Sequence, residues 1–135
     1  MVTSSQMLKG VLEGCVLALI GRGETYGYAL VGTLADCGLS DIAEGTLYPL
    51  LMRLEKKGFI SSEYRASEVG PRRKYYAITA EGKAEVERFS KEFASLTQVV
   101  GRVLERSVDY EVQTTRTRSE YTAAEKRNEM GETHE

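Results

Sequence analysis

Apolar side chains recur at helical intervals from the start of the chain. Leu8, Val11, Leu12, Cys15, Val16 and Leu19 share one face, which predicts an amphipathic helix over about residues 5–21. Gly21 and Gly23 close it, as glycine commonly does at a helix end. A second, shorter helix is expected from Gly27 through Leu34, with Leu30, Val31 and Leu34 inward, Thr25 as its cap and Gly38 as its stop. A third is expected over about residues 44–57. At about 100° per residue, Leu47, Leu50, Leu51 and Leu54 fall in one arc and face the core. The opposite arc carries Gly45, Pro49, Met52 and Lys56, flanked by Thr46, Tyr48 and Arg53. Proline is tolerated where its missing N–H would be free anyway, so either this helix starts near Thr46, with Thr46 capping it, or its first turn is kinked. The first alternative is preferred.

After Gly58 the period changes. Ile60-Ser-Ser-Glu-Tyr-Arg and Lys74-Tyr-Tyr-Ala-Ile-Thr read as two strands joined by a protruding loop with turn chemistry at Gly70-Pro71. One of Tyr75 and Tyr76 is expected to face the core and the other the surface. Thr79 then suits the cap of a fourth helix. In it Val86, Phe89, Phe93, Leu96, Val100 and Val103 repeat as an a/d seam. About 28 residues of helix span about 42 Å, against about 25 Å for the first helix. A second copy of the chain is the expected partner for the remainder, with Leu8 and Leu12 joining that interface. Beyond Ser107 the apolar repeat is lost, and residues 108–135 read as a charged tail. The expected organisation is a unit over 1–78, a dimerisation helix over 79–107 and that tail.

Composition narrows the chemistry. The 135 residues are 41% hydrophobic and 28% charged, as expected of a globular protein, and no run resembles a secretory leader or a membrane span. The expected location is the cytoplasm. Cys15 and Cys37 show no metal-binding or disulfide spacing and are expected to be small buried thiols. The one histidine is His134. Without an internal histidine or a paired-carboxylate site, no general-base constellation can be assembled, so neither an enzyme, a metal nor a cofactor is expected.

Net charge is −2, but it is unevenly spread. Residues 1–52 carry −3, residues 53–75 carry +4 and residues 76–135 carry −3. Local field governs phosphate binding more than the total does. The basic segment covers the end of the third helix and the hairpin. Three helices followed by a hairpin make a winged helix-turn-helix, mainly α (α+β), with a two-stranded wing and a long C-terminal dimerisation helix. Its third helix is placed to enter a DNA groove while the wing meets phosphates. The acidic total and the charged tail leave one other class open, a winged-helix interaction module without DNA binding.

The residues also carry a family resemblance. Gly-Thr-Leu-Tyr-Pro-Leu-Leu-Met-Arg-Leu-Glu at 45–55, Tyr-Gly-Tyr-Ala-Leu at 26–30, Gly-Pro-Arg-Arg-Lys-Tyr-Tyr-Ala-Ile-Thr-Ala-Glu-Gly at 70–82 and Leu-Lys-Gly-Val-Leu-Glu at 8–13 look like the hallmarks of the PadR family of bacterial transcriptional regulators. The match runs over about residues 7–105, and a single C-terminal helix is similar to the shorter members. The resemblance implies a homodimer on a partly palindromic operator, usually a repressor relieved by a hydrophobic or aromatic small molecule. It puts Thr46, Tyr48, Pro49 and Arg53 on the DNA face and Arg72, Arg73 and Lys74 in the wing; Lys56, on the same arc of the third helix, is expected to contact DNA as well. An effector would lie near Phe89, Phe93 and Leu96. Some short members hold planar drugs with a tryptophan at the dimer seam, and this chain has no tryptophan.

Overall fold

The computed structural model describes residues 5–105. The chain divides into two compact units, residues 1–91 and 92–135. Its elements are α1 (Ser5–Ile20), β1 (Thr25–Tyr26), α2 (Gly27–Asp36), α3 (Glu44–Lys56), β2 (Ile60–Arg65), β3 (Arg73–Ile78) and α4 (Ala80–Leu104). This is a winged helix, mainly α with a small antiparallel sheet. The strands run in the order β1-β3-β2.

Each helix of the first unit gives one stripe to a common core. Val16, Leu17 and Ile20 of α1, Leu30 and Leu34 of α2, and Leu47, Leu51 and Leu54 of α3 are almost wholly buried. Ile60 and Tyr76 close it from the sheet. Tyr76 is thus the inward member of its pair, while Tyr75 is half-buried on the other face. Burial of this kind contributes about 2 kcal/mol per side chain, so the spacing of leucines in α3 is what docks that helix with its opposite arc outward.

The caps differ from expectation in two places. Thr25 does not cap α2, because it belongs to β1, where it pairs with Tyr76. Tyr26 occupies the cap position with no side-chain bond. The sheet therefore has three strands, not two. Thr46 does not cap α3 either: the helix begins at Glu44, Ala43 is its cap, and the Thr46 and Leu47 amides already donate to the Ala43 carbonyl. Pro49 lies inside the helix. Its ring removes only the bond to the carbonyl four residues back, at Gly45, which is exposed and open to water. Glu44 in the first turn also suits the positive end of the helix dipole.

Two further expectations are revised. Cys37 is exposed and Cys15 only half-buried. Cys37 sits at the α2 C-cap, beyond that helix's buried stripe, and Cys15 lies beside the line of Leu12, Val16 and Leu19. Burial, and secondarily the nearness of Cys37, pushes the Cys15 thiol up, away from the thiolate. Tyr28 is 71% exposed, because the inward side of α2 is taken by Gly27, Leu30 and Leu34, with Val31 packed beside them.

Thr79 caps α4 as expected. Its Oγ1 accepts from the Gly82 amide at 3.0 Å and donates to the Gly58 carbonyl at 2.6 Å, while its own amide donates to Phe59. The seam residues of α4 then divide. Val86 packs against the core, and the Phe89 ring rests on Gly14 of α1. Leu12, expected at an intersubunit surface, is 4% exposed and continues the α1 stripe into this chain's own core; Leu8 is half-buried against the same core. In the second unit Phe93, Leu96, Val100 and Val103 are exposed, and so are Val99 and Leu104 beside them. The expected tail, residues 108–135, lies outside the described residues. Among the described residues no helix is long and apolar enough to cross a membrane.

Candidate nucleic-acid interface

The outward arc of α3 has two flanks and a crest. Tyr48 and Met52 look toward the hairpin, where they join Tyr26, Gly27, Tyr28, Tyr64, Arg72, Arg73, Lys74 and Tyr76 around a groove of about 430 Å³. Thr46, Pro49 and Arg53 look the other way, toward α1, and line a cleft of about 380 Å³ with Lys9, Leu12, Glu13, Gly45 and Leu50. Lys56 lines neither; at 100° per residue it falls on the crest between them, in the last helical turn. The eight residues expected on a DNA surface thus lie on one helix face and one hairpin. Seven of them are shared between two concave flanks, and Lys56 stands on the crest between.

Five of the eight tyrosines in the chain line the hairpin-side groove. Sequence reasoning singled out only Tyr48 among them. The others come from β1, α2, β2 and β3, so their convergence is a product of the sheet order. The usable signal was tyrosine flanking basic residues at 64–76, which periodicity alone treats as ordinary strand composition. Gly27 makes room for Tyr48: a side chain at that position would meet the Tyr48 ring at 2.8 Å and displace it. Tyr48 therefore packs on bare backbone while remaining 42% exposed.

The cations of the hairpin are not equivalent. The Arg72 guanidinium lies 5.2 Å from the centre of the Tyr64 ring, and that of Arg73 lies 4.7 Å from the Tyr26 ring. Such contacts hold the charge in place without neutralising it. Tyr26 is itself braced edge-on by Tyr75 at 5.3 Å. Lys74, by contrast, reaches Glu55 Oε2 at 3.1 Å, and Arg65 is paired with both Glu24 and Glu63. Lys57, at the end of α3, meets Glu13 at 3.0 Å. Arg53, Lys56, Arg72 and Arg73 have no carboxylate partner among the described residues.

Glu55 is the acid at the centre of this pattern. The hydrogen bond from Ser62, at 2.5 Å, holds its carboxyl below the usual carboxylate range, with Lys74 adding to the effect. Partial burial disfavours the Lys74 ammonium, but the bond to Glu55 and the surrounding groups outweigh it and raise the group. Arg65 is raised by Glu24 first and Glu63 second. Burial raises Tyr76, which stays a neutral phenol.

A third cleft, of about 300 Å³, lies between α1, the end of α3 and the first turns of α4. Gly10, Gly14, Leu17, Leu54, Phe59 and Phe89 give it an apolar floor, and Glu13, Lys57, Glu85 and Arg88 a charged rim. Of the three residues expected near an effector, Phe89 lines it. Phe93 and Leu96 do not; they are exposed further along α4.

Comparison with known proteins agrees with this architecture. The model of the transcriptional regulator PadR-like family matches residues 16–88. A crystal structure of a PadR-like transcriptional regulator from Bacillus cereus is similar with a TM-score of 0.67 and 44% identity, covering 75% of this chain and 98% of that one. A PadR family transcriptional regulator from Eggerthella lenta is similar with a TM-score of 0.69 and 39% identity, over 74% of this chain and 87% of that one. A protein of Lysinibacillus sphaericus, described as uncharacterized, is 34% identical over 103 residues, which is 75% of this chain and 94% of its own length. With the family model matching more than half of its length and the solved relatives sharing its winged helix, this chain belongs to the PadR-like family of transcriptional regulators and is not an enzyme.

Proposed function

We propose that this regulator binds a partly palindromic operator as a homodimer and represses transcription until a hydrophobic or aromatic small molecule releases it. The observation that carries the DNA contact is the grouping of Arg53, Lys56, Arg72 and Arg73, without a carboxylate partner among the described residues, on the outer face of α3 and the wing. Phosphate contacts supply affinity, and side chains on the helix supply selectivity. Thr46, Tyr48 and Pro49 face bases; Arg53, Lys56, Arg72 and Arg73 face the sugar–phosphate backbone.

The second copy would join along Phe93, Leu96, Val100 and Val103. Exposed apolar side chains at a/d spacing support that reading. Two recognition helices would then enter successive major grooves about 34–36 Å apart. The cleft beside Phe89 is the place we assign to the effector, close to the start of α4, so that a ligand there would alter the presentation of the two helices.

The experiment is anisotropy binding to the DNA upstream of the regulator's own gene, with sedimentation of the free protein. A dimer at micromolar concentration and a salt-dependent shift are expected. Leu96→Glu should yield a folded monomer and lose operator binding; a Leu96→Glu protein that sediments as a dimer would rule out this seam. Tyr48→Ala should weaken operator binding about tenfold, the scale of one good base contact, and change binding to unrelated DNA by less than about twofold. Equal loss on both DNAs would count against base reading by Tyr48.

A further inference from the structure

One carboxylate joins three elements of the DNA-facing surface. Glu55 projects from the last turn of α3; its Oε1 accepts from Ser62 Oγ of β2 at 2.5 Å, and its Oε2 accepts from Lys74 Nζ of β3 at 3.1 Å. Both oxygens are therefore occupied by the hairpin. In the ladder, Ser62 faces Tyr76 and Tyr64 faces Lys74, so Ser62 and Lys74 are diagonal neighbours on one face of the sheet. The Lys74 ammonium also lies 5.9 Å from the Tyr64 ring centre and 5.7 Å from that of Tyr76. Its charge is matched from every side that the fold supplies. Among the described residues, the two arginines just before it in sequence have aromatic contacts and no carboxylate partner.

We infer that Lys74 is a positioning residue: with Glu55 and Ser62 it ties the wing to the end of the recognition helix and so aims Arg72 and Arg73 at the DNA backbone. The inference rests on the DNA-binding reading for its purpose, though the tie itself exists without DNA. It separates residues that look alike in the sequence, since Arg72-Arg73-Lys74 is one basic run. The pair is about one-third exposed on both sides. Such pairs add little to global stability, so removing it should leave the protein folded and act on the wing.

The test uses the full chain with Lys74→Met, Glu55→Gln, Lys74→Arg and, as a phosphate-contact control, Arg72→Ala. Amide hydrogen exchange and nitrogen-15 relaxation of loop residues 66–72 are measured on free protein. Operator affinity is measured across a salt series. Lys74→Met and Glu55→Gln should both mobilise the loop and lower affinity several-fold with the salt slope unchanged, and Lys74→Arg should restore both readouts. Arg72→Ala should reduce the slope by about 2 in a dimer, at about 0.9 for each phosphate. A slope that falls as far in Lys74→Met as in Arg72→Ala overturns the inference. So does tighter DNA binding by Glu55→Gln, which would mean that the acid restrains a phosphate ligand, and so does a loop unchanged in the free protein. Should the unaltered protein bind no DNA, the functional reading falls, while the loop measurements still decide the tie.

Discussion

Gly82→Ala is expected to lower the stability of the winged-helix unit by about 3 kcal/mol, seen as a fall in Tm of about 15 °C. A methyl group at this position would overlap the Phe59 carbonyl oxygen and press on the Ile78 side chain. The obstacle is backbone, and that backbone is committed: the same carbonyl accepts from the Thr79 amide. Neither partner can yield without undoing the Thr79 cap that starts α4. Against a total stability of about 5–15 kcal/mol, such a loss is large. Gly32→Ala is the control. Nothing lies within 4 Å of a side chain added there, so helix propensity should make that variant neutral or more stable by up to about 1 kcal/mol. Equal melting of Gly82→Ala and the unaltered chain would refute the close approach.

The Arg72→Ala, Arg73→Ala double variant is the second large expected effect. Each arginine counts as one phosphate contact in each protomer, so the slope of log affinity against log salt should fall by about 3.6 for a dimer. At physiological salt that is a loss on the order of 100-fold or more. The loss should be alike on operator and unrelated DNA, because phosphates carry no sequence. Melting should be nearly unchanged, since both side chains are exposed. Reduced affinity with an undiminished slope would move the phosphate contacts elsewhere on the molecule.

The legible features were those carried by local periodicity. The leucine arc of α3 gave its inner face correctly, and every one of the four leucines is buried. The β2 bounds, the Thr79 cap and the Gly38 stop after α2 were read as they stand. Two-residue β1 was not legible, because two residues have no period. Nor were the caps of α2 and α3, where a threonine at a plausible cap position lost to sheet pairing in one case and to an earlier helix start in the other, although the α2 start at Gly27 was legible. The basic run was visible as charge, but its division into paired and carboxylate-free cations was not.

By itself the order of residues determined which face of each helix is apolar, where glycine must interrupt, and that positive charge gathers between Arg53 and Tyr75. These follow from side-chain spacing and from the conformations that each residue type allows, which need no partner. Only tertiary structure decided that Lys74 meets an acid nineteen positions earlier, that tyrosines from five elements share one groove, and that Leu12 is buried in its own chain's core. Such contacts depend on how strands order and which helix crosses which. That is a matter of long-range packing, and residues far apart along the chain meet only once the core has formed.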